Sequence, residues 1–560
     1  MPTTDGRKLT ILGGGGFRVP LVYGALLGGD SPISTVVLHD VDRGRLAAIQ
    51  RVLAAQAAAA EAAHAAAARS ARGAGSGSAR GAGSGSGRGA GSGSGRGAAA
   101  GPAGGATADF AQGGLAESVQ GGSAGSGPAG SAWSAPVVEA TTDLTAALTG
   151  ADFVFSAIRV EGLAGRVIDE RVALGEGVLG QETVGAGGIA FGLRTVPVAT
   201  AIAERIARVA PSAWVINFTN PAGLVTEALA AHLGDRVIGI CDSPSALARR
   251  VTRALGVATG PGPSATGPGP SGTGLGPSAT GSGPSAIGPG SSPAGRGPLS
   301  VAAGRATVRV EYAGLNHLGW LTGVHLGSEN LLPRLLEDDD GLASFEEGRL
   351  FGASRLRKLG AVPNEYLHYY YDTAEMVRAE LGAAETRGEF LLRQQEECYR
   401  ELASDDPLGA WQKALRQRDA TYMALEGLGE RDDAEGGGYE RIALALMMAI
   451  ARDEPADLIL NVRNRGTIAA LDDDAVVEVP CRVDGSGAHP YPGAVVPAHG
   501  IELVRRIKAT ERAVLAAASE QSRAVAVRAM ASHPLIDSVP IARRLVDGYI
   551  SRLPSLSYLR

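Results

Sequence analysis

Four consecutive glycines at residues 13–16 follow the apolar run KLTIL, and an apolar run with helical spacing comes after them. Between a strand and a helix, glycines let the backbone approach a pyrophosphate, and the helix N-terminus supplies amide donors. Arg18 stands where the G-x-G-x-x-G pattern has its third glycine, while Asp40 closes the next apolar run, about where a carboxylate binds an adenosine ribose hydroxyl. A plain glycine turn with a helix-capping Asp is the alternative, but the two features together favour NAD binding.

A thiol and an imidazole, Cys241 and His317, are the residues of the chain best suited to a transition metal. Cys241 directly follows the apolar run RVIGI, and the carboxyl ends of strands are where open α/β sheets bind ligands. A buried cysteine is usually a small hydrophobe, and a lone histidine is more often structural. Together they could hold a borderline divalent metal with substrate oxygens in the open positions, although their spacing alone does not establish the pair.

Tyrosines and paired carboxylates form two further groups. The segment PNEYLHYYY has four tyrosines in nine residues, and we expect Tyr369, Tyr370 and Tyr371 to pack a helix face in the core. The acidic runs at 338–340 and 472–474 are expected on the solvated surface rather than in a hydrolytic site.

The glycine turn, which we define as residues 13–16, and Cys241 need a parallel sheet to bring them together. The N-terminal half has the matching pattern, with expected strands at 8–13, 35–40, 151–158, 214–218 and 236–240. Helical patterns lie between them, including 43–69 and 195–210. Alternating strands and helices predict an α/β fold with a Rossmann-type, doubly wound parallel sheet.

The pattern changes after residue 300. Antiparallel strands are expected at 308–312 and 317–324, followed by helices at 375–381, 439–452 and 501–518, so the C-terminal half is predicted as α+β and largely helical. We expect an NAD-binding domain at 1–256 and a substrate and catalytic domain at 300–560. Two tracts dominated by Gly, Ser, Ala and Pro, 69–135 and 257–299, are expected to be dispensable low-complexity insertions.

Composition excludes several classes of protein. The 560 residues include 52 Lys and Arg against 58 Asp and Glu, which gives a net charge of −6. The chain therefore has no excess of positive charge that would favour binding to nucleic acid or to an anionic membrane. Three cysteines cannot form a disulfide framework, and neither a signal peptide nor a strongly apolar membrane span is evident. We therefore expect a cytoplasmic protein. A small-molecule substrate and assembly as a homodimer or homotetramer are also expected, although composition does not determine them.

Taken together, the motifs resemble glycoside hydrolase family 4, the NAD- and divalent-metal-dependent glycosidases that include 6-phospho-β-glucosidases and 6-phospho-α-glucosidases. The resemblance extends over nearly all of the chain outside the two tracts. Its motifs are KLTILGGGGF with LHDVD, IRVEGLAGRVIDE, GQETVGAGGIAFGLRTVPV, INFTNPAGLVTEA, GICDSP, GLNHLGW, PNEYLHYYY and TRGEF. One departure is Gly16, where the family commonly has a serine.

The resemblance implies roles for individual residues. Cys241 and His317 match the family's metal ligands. Tyr366 matches the catalytic base, and Asp242 matches the general acid proposed for α-specific members. The positions that match cofactor contacts are Gly13, Gly14, Gly15, Gly16, Phe17 and Asp40, and those that match contacts to the sugar or its 6-phosphate are Arg166, Asn220 and Arg387.

The family chemistry implied here removes hydride from C3 of the sugar to NAD⁺ and polarises the resulting ketone with a divalent metal such as Mn²⁺. Tyr366 then takes the C2 proton, the aglycone leaves by elimination, water adds and the hydride returns. The residues of the PNEYLHYYY and NHLGW motifs favour a 6-phospho-β-glucosidase. A 6-phospho-α-glucosidase is the alternative, with Asp242 as its best argument. A hydroxyacid dehydrogenase shares the Rossmann half, but it would need a catalytic His–Asp pair and no metal.

Overall fold

The computed structural model describes residues 6–28, 31–76, 133–257, 301–303, 306–420, 438–536 and 538–560. Most of the two glycine-rich tracts, and with them the expectation that they are dispensable, lies outside the described residues. Nearly all described residues belong to one compact unit, and residues 58–76 and 133–134 belong to a second. Within the second unit the rings of His64 and Trp133 stack with their centroids 3.9 Å apart.

The N-terminal half alternates strands and helices as its sequence predicts. Its elements are β1 (Arg7–Leu12), α1 (Val19–Leu26), β2 (Ile33–His39), α2 (Arg43–Ser76), β3 (Val137–Thr141), α3 (Leu144–Leu148), β4 (Phe153–Ser156), α4 (Gly162–Gly175), α5 (Gly185–Val209), β5 (Trp214–Asn217), α6 (Ala222–Leu233), β6 (Val237–Gly239) and α7 (Ser243–Ala254). The six strands pair in parallel in the order β3-β2-β1-β4-β5-β6. This is the Rossmann order, so the predicted N-terminal fold is confirmed.

The C-terminal half is largely helical, as expected. Its strands are β7 (Val301–Ala303), β8 (Ala306–Leu315), β9 (Leu318–Leu326), β10 (Glu329–Asn330), β11 (Val362–Pro363), β12 (Ala456–Arg463), β13 (Val476–Asp484) and β14 (Gly487–Pro490). Its helices are α8 (Leu332–Leu336), α9 (Asp339–Ala343), α10 (Glu346–Phe351), α11 (Ala353–Leu359), α12 (His368–Tyr371), α13 (Thr373–Gly382), α14 (Arg387–Glu401), α15 (Pro407–Asp419), α16 (Tyr439–Arg452), α17 (Ile501–Ser519), α18 (Arg523–Ser532) and α19 (Val539–Arg552).

Strands of both halves form one continuous sheet in the described part of the chain. β8 and β9 make the predicted antiparallel pair, and β12 and β13, which the sequence analysis did not identify, connect that pair to β6. Asn461 of β12 pairs with Gly239 of β6, and Glu478 of β13 pairs with Gly314 of β8. The division into a cofactor domain at 1–256 and a substrate domain at 300–560 stays a proposal, although both segments contribute to this sheet.

Burial follows from this layered arrangement. All four residues of β4 are buried, because helices cover both faces of the parallel strands and leave no solvated side. Helix α5 is long and apolar enough to cross a membrane, but 72% of its apolar window is buried inside the protein, as in a core helix. Helix α2 continues to Ser76, beyond the expected end at Arg69, because alanine and arginine favour the helix until glycines become frequent.

Candidate active site

A cleft of about 900 Å³ opens at the carboxyl ends of the parallel strands, with segments of the C-terminal half on its other side. The sequence-predicted site residues that line it are Gly13, Gly15, Gly16, Phe17, Asp40, Arg166, Asn220, Cys241, Asp242, His317, Tyr366 and Arg387. Gly14 does not line the cleft. A Cβ added to it would lie 2.8 Å from Leu38 Cβ, so this residue faces β2. The fold thus brings residues from distant parts of the sequence into one site.

The glycine turn lies between β1 and α1 and is shaped by close packing. Gly13 has a φ of +81°, and a Cβ there would lie 2.5 Å from the Ala157 carbonyl oxygen beyond β4. A Cβ at Gly16 would lie 2.9 Å from Gly13 O, which disfavours the serine common at this position in the family. The turn accordingly presents backbone at the start of α1 to the cleft, as a pyrophosphate site requires.

Asp40 supports the turn from the end of β2. Its Oδ2 accepts a hydrogen bond from Gly15 N at 3.0 Å, and its Oδ1 accepts one from Asp42 N at 3.1 Å. Asp40 is therefore a brace of the turn and not the helix-capping residue of the alternative, since Asp42 Oδ1 accepts from Arg45 N in the first turn of α2 at 3.0 Å. Each carboxylate oxygen of Asp40 has a second lone pair, so these bonds leave acceptor capacity for a ribose hydroxyl.

Cys241 follows β6, and Asp242 is the N-cap residue of α7. The cysteine is buried and unoxidised. Burial, and next the carboxylates of Glu478 and Asp242, raise the pKa of its thiol well above the usual value. A cation bound at the sulfur would reverse this effect, because it stabilises the thiolate.

His317 lies in the tight connection between β8 and β9, with a φ of +61°. Its Nδ1 is 3.1 Å from Thr183 Oγ1, and burial lowers its pKa to about 4, although the carboxylates of Asp242 and Glu182 oppose the shift. The imidazole is therefore neutral near pH 7, and this is the form that binds metals.

Tyr366 stacks directly on this histidine. The two ring centroids are 3.7 Å apart, and the ring planes differ by 3°. Tyr366 lies in the 3-10 turn Glu365–Leu367, where its backbone N–H donates to Asn364 Oδ1 at 3.1 Å. The neighbouring Tyr369, Tyr370 and Tyr371 are half-buried rather than fully buried, and Tyr369 also lines the cleft.

The donor set fits a catalytic metal better than a structural one. Within the described residues, no group of three or more His, Cys, Asp or Glu side chains could hold a metal ion. Cys241 and His317 would therefore supply two protein donors and leave several positions for substrate and water. Open coordination of this kind is what a metal needs to act on a bound substrate.

Arginines concentrate on the helical side of the cleft. Arg387 begins α14, and its Nη2 donates to the Arg418 carbonyl oxygen at 3.2 Å. Burial, and next the charges of Arg18 and Arg387, lower the pKa of the Arg418 guanidinium to about 9. Repulsion among these cations would be relieved by a bound anion.

Asn220 and Arg166 differ in how their polar atoms are used. Asn220 Oδ1 is buried and has no hydrogen-bond partner among the described residues, as expected of a group that awaits a ligand donor. Arg166 in α4 binds two carboxylates, Glu170 Oε1 at 2.7 Å and Glu182 Oε1 at 2.9 Å. Burial opposes ionisation of Glu182, but Arg159 and Arg166 together hold its pKa down at about 2.

Sequence reasoning missed several charged residues of the cleft, among them Arg418 and Glu365. Arg418 ends the helical pattern ALRQRD, which offers no cue to a site. Glu365 precedes Tyr366 in the PNEY motif, so its position was a usable signal. It accepts a hydrogen bond from Ser243 Oγ at 2.6 Å, and burial together with Glu347 raises its pKa to about 7.

Comparison with known proteins gives the family. A model described as family 4 glycosyl hydrolase matches residues 131–257, and one described as its C-terminal domain matches residues 312–536. The probable 6-phospho-beta-glucosidase of Bacillus subtilis (strain 168) is 30% identical over 419 residues, covering 73% of this chain and 80% of that protein. The chain belongs to glycosyl hydrolase family 4.

Solved structures share the fold of this family 4 enzyme. The 6-phospho-beta glucosidase from Thermotoga maritima with NAD and glucose-6-phosphate has a TM-score of 0.66 at 19% identity and covers 99% of both chains. A 6-phospho-alpha-glucosidase from gut microorganisms with NAD and Mn²⁺ has a TM-score of 0.64 at 22% identity and covers 98% of both. The expected fold and the expected glycoside hydrolase class are both confirmed.

Proposed function

We propose that this family 4 enzyme hydrolyses 6-phospho-β-glucosides with NAD and a divalent metal such as Mn²⁺. The observation that carries the proposal is the stack of Tyr366 on His317, at 3.7 Å, in a cleft that also contains Cys241 and the glycine turn. A base, a metal-binding pair and a dinucleotide turn in one cleft support elimination chemistry rather than the two-carboxylate scheme of most glycosidases.

Each residue has a defined task in this scheme. The glycine turn and Phe17 bind the dinucleotide, Asp40 binds its ribose, and Cys241 and His317 hold the metal. When bound, NAD⁺ accepts hydride from C3 of the sugar, and the metal polarises the resulting carbonyl. The Tyr366 Oη takes the C2 proton, since it is the titratable group directly against the metal-binding imidazole.

The arginines account for a phosphorylated substrate. Arg387 and Arg418 both line the cleft, where a dianionic phosphate would offset their mutual repulsion. Asn220 Oδ1, which is buried without a partner in the described residues, accepts a sugar hydroxyl. Arg166 keeps donors beyond its two carboxylates, because a guanidinium has five N–H groups.

Two alternatives make different demands on the site. A 6-phospho-α-glucosidase would use Asp242 as general acid towards the leaving group, and Asp242 lines the cleft. A hydroxyacid dehydrogenase would need a His–Asp pair, whereas the described lining has His317 as its histidine, and its Nδ1 is bonded to Thr183. The geometry therefore favours the glycosidase.

Assays of p-nitrophenyl α- and β-glucosides, each with and without the 6-phosphate, test the proposal. We expect turnover of the 6-phospho-β-glucoside that requires NAD and Mn²⁺ and is abolished by a chelator. Faster turnover of the 6-phospho-α-glucoside would establish the alternative anomer. Full activity without NAD and with chelator would overturn the proposal.

We also propose that the enzyme is a cytoplasmic homodimer or homotetramer. Its three cysteines are free and buried, which suits a reducing compartment. Light scattering coupled to size-exclusion chromatography measures the mass directly, and a monomer at micromolar concentration would contradict the assembly.

A further inference from the structure

Three backbone carbonyls in and beside the glycine turn accept hydrogen bonds from aromatic side chains of the C-terminal half. Tyr399 Oη donates to Gly15 O at 2.5 Å. Trp411 Nε1 donates to Phe17 O at 2.9 Å, and Tyr439 Oη donates to Arg18 O at 3.1 Å. The donors come from three successive helices, α14, α15 and α16, and we call them the aromatic donors.

The aromatic donors are also packed against the segment that they bind. Trp411 and Tyr439 are 4% and 2% exposed, so their donors are satisfied by these carbonyls inside the protein. The Trp411 ring lies 6.2 Å from the Phe17 ring, and the Arg18 guanidinium lies 5.1 Å from the centre of the Tyr439 ring. The Arg45 guanidinium covers the Tyr399 ring at 4.5 Å. The bonds therefore belong to an ordered contact.

Because the peptide group is planar, a hydrogen bond to its carbonyl also fixes the direction of its N–H group. In a trans peptide the C=O and the following N–H point in opposite directions, so fixing one fixes the other. Of the aromatic donors, Tyr439 lines the cleft, whereas Tyr399 and Trp411 do not; Gly13, Gly15, Gly16 and Phe17 also line it. Tyr399 consequently fixes the Gly15–Gly16 peptide, whose N–H donates to Gly13 O at 2.9 Å, and Trp411 fixes the direction of the Arg18 N–H.

A dinucleotide turn normally has a third glycine that allows close helix–strand packing, and this chain has Arg18 there. We infer that the aromatic donors substitute for that packing: Tyr399, Trp411 and Tyr439 are positioning residues that set the conformation of the glycine turn and thereby its affinity for NAD. They act through the backbone of residues 15–18, and Tyr439 also lines the cleft. The inference rests on the proposed use of NAD.

Tyr399→Phe tests the inference, because it removes one hydroxyl and leaves the ring beneath Arg45. We expect NAD binding, measured by isothermal titration calorimetry, to weaken about fivefold, as for the loss of one neutral hydrogen bond. At saturating NAD and Mn²⁺, kcat should stay within about twofold of the wild-type value, because NAD would still occupy the turn. Tyr439→Phe should also weaken NAD binding, and the double variant should bind NAD more weakly than either single variant.

Matched controls come from tyrosines that bond to backbone carbonyls elsewhere. Tyr558 Oη donates to Leu193 O at 2.7 Å and is half-buried like Tyr399, while Tyr549 Oη donates to Asp169 O at 3.0 Å and is buried like Tyr439. Tyr558→Phe and Tyr549→Phe should lower the melting temperature about as much as Tyr399→Phe and Tyr439→Phe do. They should leave the Kd for NAD unchanged.

The outcomes separate the two proposals. A wild-type protein that binds no NAD overturns the proposed function and this inference with it. Wild-type binding with the same Kd in Tyr399→Phe and Tyr439→Phe overturns the inference alone. Equal weakening in the two controls would also overturn it, because the effect would then reflect general destabilisation.

Discussion

Two parts of the cleft lining are built from different groups. At the glycine turn the surface is mostly backbone, and a single added Cβ at Gly13 would lie 2.5 Å from a neighbouring carbonyl. The second part, which we call the charged part, consists of Cys241, His317 and Arg418, buried ionisable side chains whose pKa is shifted by burial. Packing therefore determines the geometry of the turn, and charge dominates in the charged part.

This difference predicts that substitutions in the two parts separate in their effects. Changes at the turn should act on NAD affinity, because only backbone position is altered. Changes in the charged part, or at its neighbour Arg387, should act on turnover or on recognition of the phosphate, and NAD affinity should survive them.

The largest effect is expected for Cys241→Ser. Loss of a metal ligand should lower kcat by about 10³-fold or more, since carbonyl polarisation is worth several kcal/mol. NAD affinity should stay within about threefold, and bound Mn²⁺ should fall. Cys481→Ser is the control, because Cys481 is buried in β13, outside the cleft lining, and its thiol donates to Val479 O. Full metal content and rate in Cys241→Ser would remove the cysteine from the site.

A smaller effect, on the KM for the phosphorylated substrate, is expected for Arg387→Ala. Removing a charge-assisted bond to the phosphate should raise KM for the phosphorylated glucoside about 10- to 100-fold, with little change for the unphosphorylated one. Arg393→Ala controls for position on α14, since Arg393 is exposed and pairs with Glu385 at 2.7 Å. An equal change for both substrates would show that Arg387 does not read the phosphate.

At the glycine turn, Gly13→Ala should weaken NAD binding about tenfold, because a left-handed residue with a Cβ costs about 1–2 kcal/mol before the clash is counted. Gly177→Ala is the control for backbone strain alone, since Gly177 has a similar φ of +74° and open space around its Cβ position. If Gly13→Ala lowered kcat at saturating NAD instead of affinity, the contrast between the turn and the charged part would fail.

A separate effect concerns the stability of the fold behind the tyrosine segment. His533 is buried with its ring 6.1 Å from that of Tyr370, and burial lowers its pKa to about 3. The unfolded histidine binds a proton below pH 6.5, so folding stability should fall as pH falls, by about 2 kcal/mol at pH 5. His533→Asn keeps an acceptor for Leu535 N and should flatten this dependence in urea unfolding at pH 7 and 5. Parallel pH dependences in the two proteins would contradict the assignment.

Sequence reasoning succeeded where local pattern determines structure. The turn after β1, Asp40 after β2 and Cys241 after β6 all follow short apolar strands whose carboxyl ends meet at one edge of a parallel sheet. It failed where contacts depend on tertiary packing: β12 and β13 join the sheet across more than 200 residues, and Arg418 enters the cleft from an ordinary helix end. Nothing local to Trp411 indicates that it binds the backbone of Phe17.

The fate of the C2 proton tests the central claim, that Tyr366 acts as a base in an elimination. In D₂O the wild-type enzyme should form glucose 6-phosphate that carries deuterium at C2, detected by NMR. Tyr366→Phe should slow this incorporation about 10²- to 10⁴-fold, while Tyr370→Phe should leave it intact. Product that forms at the wild-type rate without deuterium at C2 would contradict the account.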